Sequence, residues 1–444
     1  MGRGFEDRVL TGWISEFVIR PLPGTWPQIP LDDETIGDLE RYFDLCHDVG
    51  YTHVVLWGLF VDRRWPEDIT SCVSDDRRQR IHRVIDAGHK RGVKIISGLG
   101  LYSWGFEEII ERHPELSRTN RRAMCPATPS SHEWMDKVTD FVLGQFDLDG
   151  LNLQSADQGR CTCDDCRDLS TVDYHVRLNR RVAQYIRQRW KGKFLMMDNW
   201  GCPFGDPADW PRLVELSRDV DCINDFNDSS TKMDPAYRKK LIAQLHCAFG
   251  TLSGWSVWPP QRWSVDKYFL PTTLVNVDYM RGLYEDGGRA VEQFTTNLGN
   301  PADEITLRFM GALASDVSAD PEALLRQAVG DVYGPKDTAT LDGLVDAVRK
   351  VESAYFDSPS RPTGPHAGPV HIDGGLKTTK DPSPESYLIN MAGEDRASFI
   401  KTVKSVAGEF KKLILRIGHK EKGELTARCL ANVIADAQRI SAES

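Results

Sequence analysis

The sequence predicts a (β/α)8 TIM barrel followed by a C-terminal α-helical region. Three observations carry this. A short apolar strand, a polar and aromatic loop and an amphipathic helix recur eight times before about residue 318, the order that builds a parallel sheet with crossover helices. Polar and aromatic residues gather where each strand ends, which is where barrels of this kind carry their working loops. The fingerprint of an open dinucleotide-binding sheet is missing, because no G-x-G-x-x-G follows the first strand and Gly98-Leu99-Gly100 lacks the third glycine and the helix start.

Taken in order, the first strand is placed at Trp13 to Ile19, with a helix over Asp33 to Val49 whose Leu39, Phe43 and Cys46 share a face. THVVLWGL is the second strand, ending at Trp57, and its helix spans Asp75 to Arg91. VKIISGLGL is the third, followed by a long excursion from Phe106 to Thr128 and a helix from Ser131 to Phe146. The fourth strand lies in LDGLNLQ, with a helix over Ser170 to Trp190. KFLMMDNW, VDCINDF, HCAFGTLSGWSVW and RAVEQFTT hold strands five to eight, and their helices fall near 210–217, 235–246, 266–284 and 302–317. Residues 1–318 are therefore read as the barrel. Residues 319–444 are read as helical, interrupted by a proline- and glycine-rich loop at 357–392.

Composition narrows the function. The chain has 444 residues, is 40% hydrophobic and 27% charged, and carries a formal net charge of -10. An acidic balance with no Lys/Arg stripe argues against nucleic acid and anionic membranes as partners. No apolar run is long enough to span a bilayer, the first residues lack a signal-peptide core, and ten cysteines, several in apolar segments, suit a reducing compartment. A cytoplasmic protein acting on a soluble small molecule or glycan is expected, with homo-oligomer formation through the C-terminal helices as a further expectation.

The stretch Leu148 to Cys166, LDGLNLQSADQGRCTCDDC, stands out. It breaks from an alternating strand into a loop bearing Asp157 and Gln158, then into C-x-C-x-x-C. Cys161, Cys163 and Cys166 are spaced to converge on a metal, and Cys125 is the best fourth ligand, ahead of Cys202 and His132. The expectation is a structural zinc clamp pinning the loop. The alternative is a set of reduced, unliganded thiols. No catalytic cofactor is expected.

The strand ends supply Glu16, Arg20, Trp57, Tyr102, Trp104, Asn152, Gln154, Asp157, Asp198, Asn199, Trp200, Asp225, Trp255, Trp258 and Glu292. Carboxylates and amides among aromatic plates are what a sugar ring needs, since its C–H faces pack on indoles and its hydroxyls require polar partners. Metal-dependent hydrolysis is disfavoured, because none of the 11 histidines forms a His-x-His at the first strand. A guanidinium at Arg20 would suit an acidic sugar, although a lone arginine at a rim more often makes a salt bridge.

The run S-x-D-x-G-x-C-x-C-x-x-C from Ser155, the Cys125-Pro126 pair before it and NPADEITLRFMGALASDVSADPEALLRQAVGDVYGP downstream resemble bacterial (β/α)8 glycoside hydrolases of the α-glucuronidase-like and hexosaminidase-like kind. The resemblance implies an exo-acting glycosidase on a carbohydrate substrate, with Asp157 matching the strand-four acid. Hexosaminidase-like barrels carry an Asp-Glu pair there, whereas Gln158 follows Asp157, and an amide donates no proton as a general acid. Asp157 is accordingly expected to be the proton donor, with Glu292 or Asp225 as its partner carboxylate and Asp198 in reserve. Arg20, Trp57, Tyr102, Trp104, Asn152, Gln154, Gln158, Asn199, Trp200, Trp255 and Trp258 are expected to bind substrate. A non-catalytic sugar-binding barrel is one alternative, and a carbohydrate lyase or epimerase with Tyr102 as base is another.

Overall fold

The computed structural model describes residues 3–20, 29–60, 64–155, 159–199, 202, 204–225, 235–251, 268–295, 298–356, 388, 391 and 393–443. Eight parallel strands alternate with helices: β1 (Asp7–Trp13), α1 (Asp33–Val49), β2 (His53–Trp57), α2 (Asp75–Lys90) and β3 (Lys94–Gly100). They continue with α3 (Glu107–Arg112), α4 (Pro129–Gln145), β4 (Gly150–Gln154), α5 (Thr171–Arg189), β5 (Phe194–Asp198), α6 (Trp210–Leu216) and β6 (Cys222–Asp225). After α7 (Pro235–Ile242) come β7 (Ala248–Thr251), α8 (Val277–Glu285), β8 (Ala290–Phe294) and α9 (Pro301–Ser315). The strands pair in the order β7-β6-β5-β4-β3-β2-β1-β8, each with its neighbour in sequence and β1 with β8. The ring nearly closes, since the amide of Arg289 just before β8 donates to the carbonyl of Phe249 in β7 at 3.0 Å.

Sequence chemistry fixes the helix starts. The side chains of Asp32, Ser74, Ser170, Asn300 and Asp320 accept from backbone amides in the first turns of their helices, and Pro301 and Pro321 open two of them. The N-terminal end of the barrel repeats one device. Asp149, before β4, accepts from the Ile95 amide at 2.7 Å and lies 2.8 Å from His89 Nε2. Asp221, before β6, accepts from the Leu195 amide at 2.7 Å and from Arg187 at 2.6 Å. Each acid ties a strand amide to a side chain of the preceding helix.

Alternation along the strands sorts the core into two parts. Val9, Val55, Ile96, Met196, Cys222 and Ala290 form a small apolar cluster of their own inside the ring. Residues of opposite parity, such as Leu10, Val54, Leu56, Leu151, Leu153 and Ile223, join the larger core under the helices. Two positions on from the inner cluster, the same parity carries Thr11, Trp57, Gly98, Asn152, Asp198, Asn224 and Glu292 to the lumen, with Gly98 opposite Asn152 and Asp198 opposite Asn224.

Three elements differ from expectation. The first strand is Asp7–Trp13 rather than Trp13 to Ile19, because Glu16 turns back to accept from the Trp13 amide at 2.7 Å and the chain enters a short 3-10 turn at Ile14–Glu16. The excursion after β3 is partly helical, with α3 and a 3-10 turn at Pro114–Leu116. The helix expected over 266–284 begins only at Val277, after a 3-10 turn at Leu274–Asn276, and residues 268–273 before it are not helical.

Beyond the eighth unit lie α10 (Pro321–Tyr333), α11 (Thr338–Phe356), α12 (Gly393–Leu413) and α13 (Lys420–Glu443). They dock on segments leaving β7 and β8. Buried Glu352 of α11 accepts from the amide and hydroxyl of Thr273, each at 2.6 Å, Tyr268 donates to Asp436 of α13 at 2.6 Å, and Lys422 reaches the Leu298 carbonyl at 2.6 Å. Among the described residues no helix is long and apolar enough to cross a membrane.

Candidate active site

The C-terminal end of the lumen divides into an aromatic half and an acidic half. On β1 to β3, Trp13 packs against Trp57 with ring centroids 5.8 Å apart and against Trp104 at 5.3 Å. These indoles, with Phe60 and Trp65, line a pocket whose floor is Ser97 to Gly100. The glycines make room: a Cβ on Gly98 would stand 2.1 Å from the Trp57 ring, and one on Gly100 would stand 2.1 Å from the Trp104 Cβ. An inward-facing side chain there would evict the indoles.

On the other side, β4, β5, β6 and β8 bring together Asn152, Asp198, Asn224 and Glu292, all buried. Asn152 Nδ2 donates to Asp198 Oδ2 at 2.7 Å. The Nδ2 of Asn224 donates to Asp198 Oδ1 at 3.3 Å and also to Glu292 Oε2. One nitrogen thus holds both acids, and their carboxyls lie within hydrogen-bond reach of each other. Burial pushes Asp198 up to about 7 against the pull of the two amides. Burial, then the charge of Asp198, raises Glu292 well above the usual carboxylate range. Two carboxyls this close in a dry site do not both ionise, so the pair retains a proton near neutrality.

Of the other expected site residues, Gln154 sits at the lumen parity of β4. Asp225 has the opposite parity from Asn224, and its Oδ1 accepts from Asn199 Nδ2 at 2.6 Å, so these two form a separate buried contact beside the acid pair. Tyr102 turns away from the lumen. Its backbone is left-handed, with φ 59°, and its buried hydroxyl lies 2.6 Å from His132 Nδ1 on α4. Arg20 is engaged by α1, with Asp32, Glu34 and Asp38 at 3.9, 3.5 and 3.6 Å and the Thr35 hydroxyl at 3.1 Å. Asp157, Gln158, Trp200, Trp255 and Trp258 lie outside the described residues. Trp13 and Asn224 were not among the expected site residues. Their signal was parity: once β1 ends at Trp13 and β6 is in register with β5, both face the lumen beside residues that were.

Between the loop after β4 and the segment before α4, four thiols converge. The Sγ atoms of Cys125, Cys161, Cys163 and Cys166 all lie within 4.8 Å of one another, with Cys125 3.7 Å from Cys163 and 4.0 Å from Cys166. Four thiolates at about 2.3 Å from a tetrahedral zinc stand about 3.8 Å apart, so this donor set fits a structural metal. Arg118 reaches Cys163 at 3.9 Å, and Arg160 binds the carbonyls of Cys166 and Leu169 at 2.9 and 3.0 Å. Neither Cys202 nor His132 joins the cluster.

No protein-family model and no curated protein matches the chain. Solved structures do. One is a mutant of the Thermobaculum terrenum O-GlcNAc hydrolase, 13% identical with a TM-score of 0.56, covering 97% of this chain and 82% of that one. The likeness is one of fold. A GH138 enzyme targeting pectin rhamnogalacturonan II has a TM-score of 0.58 at 9% identity over 98% of this chain, which spans 57% of that enzyme's length. CpGH84B has a TM-score of 0.51 at 10% identity, covering 98% of this chain and 68% of that one.

Proposed function

We propose that the protein is an exo-acting glycoside hydrolase using carboxylate acid/base chemistry. The observation that carries this reading is the pairing, at one end of one lumen, of a proton-retaining acid pair, Asp198 and Glu292, with a wall of indoles from Trp13, Trp57 and Trp104. Indoles hold the apolar face of a sugar ring, and cleavage of its glycosidic bond requires one carboxyl that donates a proton and one that stays ionised. The names of the structures that share the fold point the same way.

Asp157 is the proposed proton donor. The two carboxyls that flank a scissile bond stand about 5 to 5.5 Å apart in retaining enzymes and about 6.5 to 9.5 Å apart in inverting ones. Asp198 and Glu292 share a donor nitrogen and are too close to flank a sugar between them. They act as one unit, and the second role falls to Asp157. A lyase or epimerase is disfavoured, because the base it would use, Tyr102, is buried against His132.

The metal we propose for the four thiols is zinc. Cys125 belongs to the segment before α4, and Cys161, Cys163 and Cys166 to the loop after β4. Zinc there would join the two segments and supply no step of the reaction, and its thiolate ligands fit a reducing compartment such as the cytoplasm.

Release of reducing sugar from a panel of aryl glycosides by the purified protein tests the reading. Sugar binding without any turnover would replace it with a binding barrel, and an ultraviolet-absorbing unsaturated product would replace it with a lyase.

A further inference from the structure

The two halves of the lumen restrict what kind of sugar fits. None of the residues lining the aromatic pocket is charged. In the acidic half, the groups that donate to Asp198 and Glu292 are neutral, the amides of Asn152 and Asn224 and the hydroxyl of Thr11, and among the described residues no cation pairs with either acid. Arg20, which the sequence offered to an acidic sugar, is surrounded by three carboxylates of its own. Two buried amide oxygens of the lumen meanwhile have no hydrogen-bond partner, Asn152 Oδ1 and Asn224 Oδ1. They are acceptors, and they call for donors.

Resting on the glycosidase reading, we propose that this site takes an uncharged sugar and rejects uronic acids. Hydroxyls of a neutral ring donate to the amide and carboxyl oxygens, and its C–H face packs on the indoles. A uronate places a second negative charge in a dry site beside Asp198 and Glu292, where no described cation compensates it. The inference runs against the α-glucuronidase side of the sequence resemblance.

Two assays on the full-length wild-type chain separate this from the parent reading. In the first, nitrophenyl glucoside and galactoside of each anomeric form are compared with the matching glucuronide and galacturonide. The best neutral substrate should be cleaved at least ~10-fold faster than its uronide, and a faster uronide would overturn the proposal. In the second, tryptophan fluorescence follows titration with neutral monosaccharides and with glucuronate and galacturonate, independent of turnover. Binding confined to neutral sugars supports the proposal even if no glycoside is cleaved, an outcome that would remove the hydrolase reading alone. Uronate binding equal to or tighter than neutral binding, or no sugar binding at all, overturns it. Asp198→Asn combined with Glu292→Gln, which removes the pair's charge while keeping its shape, should narrow the neutral preference several-fold in the binding assay. An unchanged preference in a folded variant would refute the charge argument.

Discussion

Asn224 and Glu292 meet across the lumen, and the same amide nitrogen that reaches Glu292 also reaches Asp198, so strands β5, β6 and β8 are joined at their C-terminal ends by one donor. Removing that donor leaves two buried acids facing each other with less to hold them. An unsatisfied buried polar group costs about 1–3 kcal/mol, so Asn224→Leu should lose at least that much stability. Urea denaturation measures it, and a neutral variant would show that the acids are held by something else.

The acid pair also sets a pH dependence. Asp198 titrates near 7 in the fold against 3.8 ordinarily, so between those values the folded protein binds a proton that the unfolded chain has released. Stability therefore falls as pH rises through this window and levels off above it, and Glu292, also raised, acts in the same sense. His53 and His175, lowered by burial to about 3 and about 4, act in the opposite sense below 6.5. They cancel when Asp198→Asn is compared with wild type. The variant's stability relative to wild type should rise from about pH 4 to about pH 7, and a pH-independent difference would contradict the assignment.

Gly98 lies beneath Trp57, and its substitution tests whether the indole wall is built on that gap. Gly98→Ala places a Cβ 2.1 Å from the ring, which should cost about 1–3 kcal/mol through displacement of the indole and should weaken sugar binding. Gly37→Ala is the control, because a Cβ there meets nothing within 4 Å and the residue lies inside α1. It should stabilise by up to about 1 kcal/mol. Equal effects at the two positions would mean that Gly98 has no special duty.

Metal content is a further check. Elemental analysis of the purified protein should find about one zinc per chain, and Cys166→Ser should lose the metal and lower the thermal midpoint. Metal-free protein with four freely titrating thiols in the folded state would leave the cluster as closely packed cysteines.

Much of this was legible in the sequence because the signals were local. Asp32, Ser74 and Ser170 announce helix starts whatever surrounds them, and α1 begins and ends where its apolar period and Gly50 put it. Cys125 was legible as the fourth thiol because it is the cysteine in the segment that leads into α4 and β4. The first strand was misplaced because Ile14, Phe17 and Val18 read as an apolar strand. In the fold they belong to a turn held by Glu16, and the true strand, with Thr11 and Trp13 facing the lumen, has a more mixed pattern. Tyr102 escaped for a similar reason: nothing in the sequence marks the left-handed backbone that swings it toward His132. The Asp198–Glu292 pairing depends on ring closure between β1 and β8, a long-range relation that periodicity does not encode.

The strongest test of the proposed mechanism is whether Asp198 and Glu292 behave as one group, with Asp157 in a separate role. Asp157→Asn should lower turnover by at least ~100-fold while leaving sugar binding largely intact, as removal of a general acid does. Asp198→Asn and Glu292→Gln each break the unit that retains a proton between them, so each should lower kcat severely. The double variant should be little worse than the poorer single one, because residues that act as a unit are not additive. Asp225→Asn touches a different contact, the one with Asn199, and its loss should add to either. The measurement is kcat/KM for the four single variants and three doubles on one aryl glycoside. Additive losses for Asp198 and Glu292 would separate those acids into independent roles, and full activity in Asp157→Asn would remove Asp157 as the proton donor.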